Sequence, residues 1–139
     1  MYEYKHSVRV RYGETDQMGF VYYGNYAQYF EVGRVEALRS IGIVYSELEK
    51  EGIMLPVLDL NIKYYKPAHY DQLLDIYVII DQIPGAKIKF DYILKDEHSN
   101  LLVKGTTNLV FVKKENGKPM RAPNWIIDKL SVFFNEQEH

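Results

Sequence analysis

Two carboxylates, Glu14 and Asp16, lie in a short polar turn between a strand-like segment and a helix-like segment. The N-terminus of a helix presents unpaired main-chain N–H groups and a partial positive charge. A carbonyl group docked there is polarised, and the oxyanion formed on attack is stabilised. A carboxylate held beside it can activate water as a general base or attack the carbonyl directly. The position of Asp16, a few residues before the helix, therefore predicts a minimal acyl-transfer site.

The same residues also have a purely structural interpretation. Asp16 can hold the loop as an Asx-turn residue, since acids are common in turns. Asn25 and Gln28, three positions apart, resemble a helix capping box. The turn considered by itself leaves both interpretations open.

The elements on either side must position this turn. His6 to Tyr12 alternates in polarity and predicts a half-buried strand. The next segment predicts a helix to about Ile41, ended by Gly42, because apolar or small residues recur at spacings of three and four: Tyr26, Tyr29, Phe30, Gly33, Ala37, Leu38 and Ile41. Gly33 should cost about 1 kcal/mol against alanine, so we expect it to allow close packing of the helix on a sheet.

The rest of the chain predicts mostly strands. A short second helix is expected near residues 45–51 and a terminal helix at 123–134, with strands at 58–65, 74–80, 88–94 and 101–112. Short connections between consecutive strands favour antiparallel pairing. We therefore expect one α+β domain, residues 1–139, in which a five-stranded antiparallel sheet wraps the long helix. One helix leaves some apolar surface and an edge strand uncovered, which predicts a homodimer or homotetramer.

Composition excludes several classes of protein. The net charge of −2 and the pI near 6.1 give no basic surface for nucleic acid. No stretch is long and apolar enough to span a bilayer, and the N-terminus has no apolar signal core, so we expect a cytoplasmic protein. Cysteine is absent, and the four histidines form no ligand cluster, so no metal site is expected.

Residues 12–26, followed by Glu31 and Arg34, resemble the signature of hotdog-fold acyl-CoA thioesterases, most closely the 4-hydroxybenzoyl-CoA thioesterase type. Residues 65–68 and Asp71 also resemble the strand-to-strand turn of that family. The resemblance implies a hotdog fold and hydrolysis of an acyl-CoA substrate to the free acid and CoA. No cofactor is needed, because a thioester is already activated.

The resemblance also implies roles for single residues. Asp16 would be the catalytic carboxylate, and the main-chain N–H of Tyr23 would polarise the thioester carbonyl. Gly19 would let the loop fold tightly against the ligand, while Tyr22, Tyr26 and Lys66 would contact substrate. Two departures are visible: Glu14 stands where many relatives have aspartate, and Tyr23 stands where bacterial short-chain members often have histidine. A main-chain donor is unaffected by either change.

Several other residues have two interpretations each. Glu31 is expected to pair with Arg34 at i,i+3, although a related branch of hotdog thioesterases uses a helical glutamate as its catalyst. Tyr22, Tyr26 and Tyr29 can line an acyl pocket or fill the core. Four lysines can contact the phosphates of CoA or simply lie on a strand face that is exposed to solvent: Lys63, Lys66, Lys87 and Lys89.

Two further functions remain open on this architecture. One is a hydroxyacyl thioester dehydratase, which normally needs a histidine near the helix, but none lies between His6 and His69. The other is a non-catalytic carrier of acyl groups or lipids, because a sheet around a helix can also enclose a ligand.

Overall fold

The computed structural model of the chain describes residues 1–134; His139 and the last residues of the predicted domain lie outside that range. The helices are α1 (Tyr26–Ser40), α2 (Tyr45–Lys50) and α3 (Asn124–Ser131). The strands are β1 (Tyr2–Arg9), β2 (Ile53–Met54), β3 (Val57–Tyr64), β4 (Leu73–Ile80), β5 (Lys87–Asp96), β6 (Leu101–Val110) and β7 (Val112–Lys113). Single turns of 3₁₀ helix occupy Tyr12–Glu14 and Tyr23–Asn25.

Five strands form one sheet in the order β1-β4-β5-β6-β3, and every neighbouring pair is antiparallel. The alternating segments predicted these strands because one side of each strand faces a common core. That core takes the apolar residues of alternate positions on β4 and β5: Leu74, Ile76, Val78, Ile80, Ile88, Phe90, Tyr92 and Leu94. Helix α1 packs on β1 and β4. The expected α+β architecture, a long helix against a five-stranded antiparallel sheet, is confirmed.

Glycines set the distance between α1 and the sheet. A Cβ atom at Gly33 would lie 2.9 Å from Cγ2 of Ile76 and 3.0 Å from Cγ2 of Val78. Gly105, on β6, leaves room for the Phe30 ring, which stacks on Tyr92 with ring centroids 4.4 Å apart. The prediction that Gly33 permits close packing on the sheet is confirmed.

The first strand differs from the prediction at both ends. It begins at Tyr2 rather than His6, and Tyr12 is an exposed member of a 3₁₀ turn rather than a strand residue on the inner face. The reason is that the chain leaves the sheet after Val10. The main-chain N–H of Arg11 bonds to the Glu14 carboxylate at 2.8 Å, and Glu14 N–H bonds back to the Arg11 carbonyl at 3.0 Å. These local bonds replace the bonds between strands that an extension to Tyr12 would need.

The last predicted strand is two strands. β6 ends at Val110, and residues 112–113 pair instead with Ile53–Met54 in a separate two-stranded sheet. The N–H of Phe111, between them, still bonds in register to the carbonyl of Ala86 at 3.0 Å, but the Phe111 carbonyl accepts from Met120 at 2.8 Å. Beyond Phe111 the chain therefore lies beside residues 118–120 rather than beside β5. Because residues 109–112 are all hydrophobic, the sequence pattern does not show this break.

Strand β3 alternates as predicted, but its apolar side is not covered. Leu58 and Leu60 are 51% and 45% exposed. β3 is the last strand of the sheet, on the side away from the strands that α1 covers. Among residues 1–134, no helix is long and apolar enough to cross a lipid bilayer.

Candidate active site

The loop before α1 is organised around the side chain of Asp16. Its Oδ1 accepts hydrogen bonds from the N–H groups of Met18, at 2.9 Å, and Phe20, at 3.2 Å. The Asp16 main chain also bonds to the Phe20 carbonyl at 2.8 Å. The Asx-type turn proposed from the sequence is therefore present. Because Asp16 remains exposed and these bonds use Oδ1, the carboxylate still offers an oxygen to a ligand.

Gly19 closes the same loop. Its φ of +80° lies in the left-handed region that glycine adopts without strain. Its N–H bonds to the Asp16 carbonyl at 3.0 Å, and its carbonyl accepts from Tyr70 at 2.9 Å. Gly19 thus shapes the tight loop, as expected, although it does not line the cavity described below.

The start of the helix offers unpaired donors. The 3₁₀ turn Tyr23–Asn25 continues directly into α1, and Tyr22 before it has extended backbone angles. Among residues 1–134, the main-chain N–H groups of Tyr23 and Gly24 have no acceptor. The first N–H groups of a helix have no partner inside it and carry its partial positive charge. A substrate carbonyl placed here would be polarised.

Asp16 and the start of the helix share one cavity of about 570 Å³. This volume is in the usual range of small-molecule sites, about 300–1,000 Å³. The lining brings together five of the six predicted site residues, which are Asp16, Tyr22, Tyr23, Tyr26 and Lys66. It adds residues that the sequence interpretation had not assigned to the site: Phe20, Val21, Tyr64, Tyr65 and Pro67. Among the described lining residues, Asp16 carries the only carboxylate.

Glu14 has a structural role beside this cavity. It is buried and accepts hydrogen bonds from Arg11 and, at 2.9 Å, from the hydroxyl of Tyr29. Burial by itself would raise the pKa of Glu14, but the bonds from Arg11 and Tyr29 outweigh it and lower the pKa. Its carbonyl accepts from the Tyr22 N–H at 2.9 Å and from the Asn25 amide at 2.8 Å. Glu14 therefore ties the turn to the start of the helix.

The prediction of an Asn25–Gln28 capping box is wrong. Asn25 makes no side-chain cap bond, because its own backbone angles are already helical. Its amide group instead donates to the Glu14 carbonyl. The 3₁₀ turn moves the true start of the helical segment to Tyr22, three residues earlier.

Tyr26 forms the buried end of the cavity. It is 2% exposed, and its ring packs edge-on against Tyr64 with centroids 5.5 Å apart. Its hydroxyl accepts the N–H of Ala68 at 3.1 Å, which links α1 to the turn after β3. Burial raises the pKa of Tyr26, so its hydroxyl stays neutral. Tyr26 thus serves both as core and as cavity wall, whereas Tyr29 lies in the core.

The predicted Glu31–Arg34 ion pair is also wrong. Arg34 is 6% exposed and donates to the hydroxyls of Tyr45 and Tyr92, each at 3.1 Å. Burial alone would lower the pKa of Arg34, but the two phenol oxygens outweigh it and raise the pKa, so the side chain stays charged. Position 34 follows Phe30 and precedes Leu38 at spacings of four, so the helical period could have placed it on the buried face.

Other candidate groups lie outside the cavity. The ring of His69 packs edge-on against Phe20, with centroids 4.9 Å apart, but does not line the cavity. Lys63, Lys87 and Lys89 lie on the sheet and also outside it. Within residues 1–134, no three histidine, aspartate or glutamate side chains are grouped to hold a metal ion.

Comparison with known proteins assigns this arrangement to a family. Residues 10–130 match the model of the Thioesterase-like superfamily. YneP of Bacillus subtilis (strain 168), named as a candidate acyl-CoA thioesterase, is 38% identical over 129 residues, which cover 90% of this chain and 94% of that protein. The acyl-CoA thioester hydrolase YbgC of Escherichia coli O6:H1 is 30% identical over 120 residues, covering 86% and 90%.

A solved structure agrees with this assignment. The crystal structure of a DHNA-CoA thioesterase from Staphylococcus aureus superposes with a TM-score of 0.89 at 32% identity, covering 99% of this chain and 96% of that one. Its match extends over the helix start, the loop before it and the whole sheet. This chain therefore belongs to the thioesterase-like superfamily and is a thioester hydrolase with the hotdog fold, as residues 11–34 led us to expect.

Proposed function

We propose that this protein hydrolyses an acyl-CoA thioester at the cavity between Asp16 and the start of α1. The observation that carries the proposal is the pairing, in one cavity, of a single carboxylate with a helix start whose first N–H groups have no protein acceptor among residues 1–134. In the proposed reaction the thioester carbonyl accepts a hydrogen bond from the Tyr23 N–H. The negative charge that develops on its oxygen is stabilised there.

Asp16 supplies the second half of the reaction, by one of two routes. As a general base it takes a proton from water, whose oxygen attacks the carbonyl carbon. As a nucleophile it attacks the carbonyl itself and forms a mixed anhydride, which water then hydrolyses. In both routes the carbon–sulfur bond breaks, the CoA thiolate leaves and takes up a proton, and the acid is released. Single-turnover hydrolysis in ¹⁸O-labelled water distinguishes them, because only the anhydride route puts label into the Asp16 carboxylate.

The walls of the cavity indicate which acyl groups to test first. Phe20 and the tyrosines at 22, 23, 26, 64 and 65 provide flat aromatic surfaces, and aromatic rings pack well against one another. The Staphylococcus aureus relative is named for DHNA-CoA. These observations favour an aromatic acyl group over a long aliphatic chain.

The test is a panel of aromatic, short aliphatic and long aliphatic acyl-CoAs with a thiol-reactive dye as the readout. The chain contains no cysteine, so the dye reports only released CoA. We expect turnover of at least one aromatic acyl-CoA. Binding without thiol release across the panel would instead indicate a carrier, and enoyl product from a hydroxyacyl-CoA would indicate a dehydratase. The absence of histidine from the described cavity lining argues against the latter.

We also propose that the protein is at least a homodimer through the edge of β3. Leu58 and Leu60 are about half exposed there, and the outer main-chain groups of a sheet's last strand have no strand to pair with. A second copy of β3 would cover both features. Sedimentation velocity at micromolar concentration should give twice the chain mass or more, and a monomer would contradict the proposal.

A further inference from the structure

The buried carboxylate of Glu14 is held from two sides. From the end of β1, the main-chain N–H of Arg11 donates to Oε1 at 2.8 Å, and the Arg11 guanidinium donates to Oε2 at 3.0 and 3.1 Å. From the helix, the Tyr29 hydroxyl donates to the same Oε1 at 2.9 Å. Tyr29 lies in the first turn of α1 and is 4% exposed. One carboxylate is therefore bonded both to the chain before the turn and to the helix after it.

Glu14 also lies between the two groups that the proposed reaction needs. Asp16 follows it by two residues in the turn. The Glu14 carbonyl accepts from the N–H of Tyr22 at 2.9 Å, and Tyr22 directly precedes the Tyr23 donor. A shift of Glu14 against α1 would therefore change the distance between the Asp16 carboxylate and the Tyr23 N–H.

The chemistry of the Tyr29–Glu14 contact suits a positioning role. Apolar packing could join the turn to the helix without the desolvation of a buried carboxylate. Apolar contacts have no preferred direction, whereas a hydrogen bond weakens steeply when its angle is poor. Burial and the neighbouring Glu14 raise the pKa of Tyr29, so its hydroxyl keeps the proton that it donates. The contact therefore fixes the relative position of the turn and the helix at neutral pH.

We propose that Tyr29 is a positioning residue for the hydrolysis. Through Glu14 it fixes the start of α1 against the turn, so that the Asp16 carboxylate and the Tyr23 N–H meet at the same thioester carbonyl. The inference rests on the proposed function. Tyr29 lies outside the described lining of the cavity, so its removal should affect the chemical step rather than substrate binding.

The experiment starts from Tyr29→Phe, which keeps the buried ring and removes only the hydroxyl. Misplacement of a catalytic group by about 1 Å can lower a rate by about 10²-fold. Using the acyl-CoA best hydrolysed in the panel, we expect kcat to fall by about tenfold or more, with KM within about twofold of the wild type.

Tyr92→Phe is the matched control, because it also removes a buried hydroxyl that is bonded to an ionised side chain. Tyr92 is 1% exposed, and its hydroxyl bonds to Arg34 at 3.1 Å and to Thr107 at 2.6 Å, outside the cavity. This variant should lose at least as much stability as Tyr29→Phe, yet its kcat should stay within about twofold of the wild type. An equal fall in both variants, or a kcat for Tyr29→Phe within about twofold of the wild type, would overturn the proposal.

A second comparison separates positioning from a general loss of folded protein. In the Asp16→Asn background the carboxylate to be positioned is absent. Effects of residues that act as a unit are not additive, so Tyr29→Phe should lower the remaining kcat by less than about twofold in that background. A fall by the same factor in both backgrounds would show that Tyr29 supports only the fold.

Failure of the proposed function would be recognised separately, because the wild type would then release no thiol from any acyl-CoA of the panel. In that case, amide hydrogen exchange tests the contact without substrate. The N–H groups of Glu14 and Tyr22 bond to carbonyls within this cluster, at 3.0 and 2.9 Å. We expect both to exchange at least about fivefold faster in Tyr29→Phe than in the wild type, and at the wild-type rate in Tyr92→Phe. Unchanged exchange in Tyr29→Phe, or equal acceleration in both variants, would refute the positioning role.

Discussion

The substitution Asp16→Asn tests the proposed chemical role of this residue separately from its structural role in the loop. The asparagine amide keeps an oxygen that can accept from Met18 and Phe20, the two N–H groups that Asp16 holds at 2.9 and 3.2 Å. The loop should therefore retain its shape. The amide cannot accept a proton from water or attack a carbonyl, so only the proposed chemistry is lost.

The two effects differ enough in size to be measured apart. Loss of a positioned base lowers kcat by about 10²–10⁴, which corresponds to about 3–5 kcal/mol in activation free energy. An exposed substitution that keeps its hydrogen bonds changes the free energy of unfolding by less than about 0.5 kcal/mol. We therefore expect a large fall in kcat with a Tm shift of no more than about 2 °C.

The chain supplies a matched control at a second turn of the same kind. Oδ1 of Asp96 accepts from the N–H groups of His98 and Asn100, again two and four residues later, each at 2.9 Å. Asp96 lies outside the cavity, so Asp96→Asn should keep full activity. Thiol release and thermal unfolding are measured for both variants. A kcat for Asp16→Asn within about threefold of the wild type, far short of the loss expected for a base, would remove Asp16 from the mechanism.

Three further predictions concern stability. Gly105→Ala should lower the free energy of unfolding in urea by about 1–3 kcal/mol, because its Cβ would overlap the buried Phe30 ring; an unchanged midpoint would show that the ring can move aside. The lowered pKa of Glu14 adds stability at neutral pH that is lost on acidification below about pH 4.3, its ordinary value. Tm of Glu14→Gln should therefore fall less between about pH 5 and 3 than that of the wild type, and parallel curves would contradict this. Tyr26→Phe leaves the buried Ala68 N–H without its acceptor and should cost about 1–3 kcal/mol, measured by urea unfolding; a change below about 0.5 kcal/mol, the size of an ordinary surface substitution, would indicate that water replaces the hydroxyl.

Local patterns predicted most of the fold. The period of α1 located the end of the helix to within one residue and every residue of its buried face except Arg34. Polar alternation located four of the main strands. The same patterns could not show where a strand leaves the sheet. The end of β1 depends on the Arg11–Glu14 contact, and the break after Val110 depends on a bond from Met120 to the Phe111 carbonyl, which the hydrophobic run itself does not show.

Only the part of the candidate site that is formed by residues close together in the chain was predictable. Asp16, Gly19 and the start of α1 are neighbours in the chain, so their spacing indicated both the turn and the donors. Tyr64 and Tyr65 reach the same cavity through the pairing of β3 with β6, which no single segment encodes. The charge of Arg34 favoured a surface position, although its spacing placed it on the buried face; hydroxyl partners from α2 and β5 made burial possible.

The tyrosines of the cavity differ sharply in how much of the fold depends on them. Tyr22, Tyr23, Tyr64 and Tyr65 are between 45% and 63% exposed, whereas Tyr26 is almost completely enclosed. Substitutions at exposed positions usually change stability by less than about 0.5 kcal/mol. A library of variants at these four rim positions could therefore sample new acyl preferences with little loss of folded protein. Under the proposed function, the acyl preference would therefore change at these four positions with little effect on the free energy of unfolding.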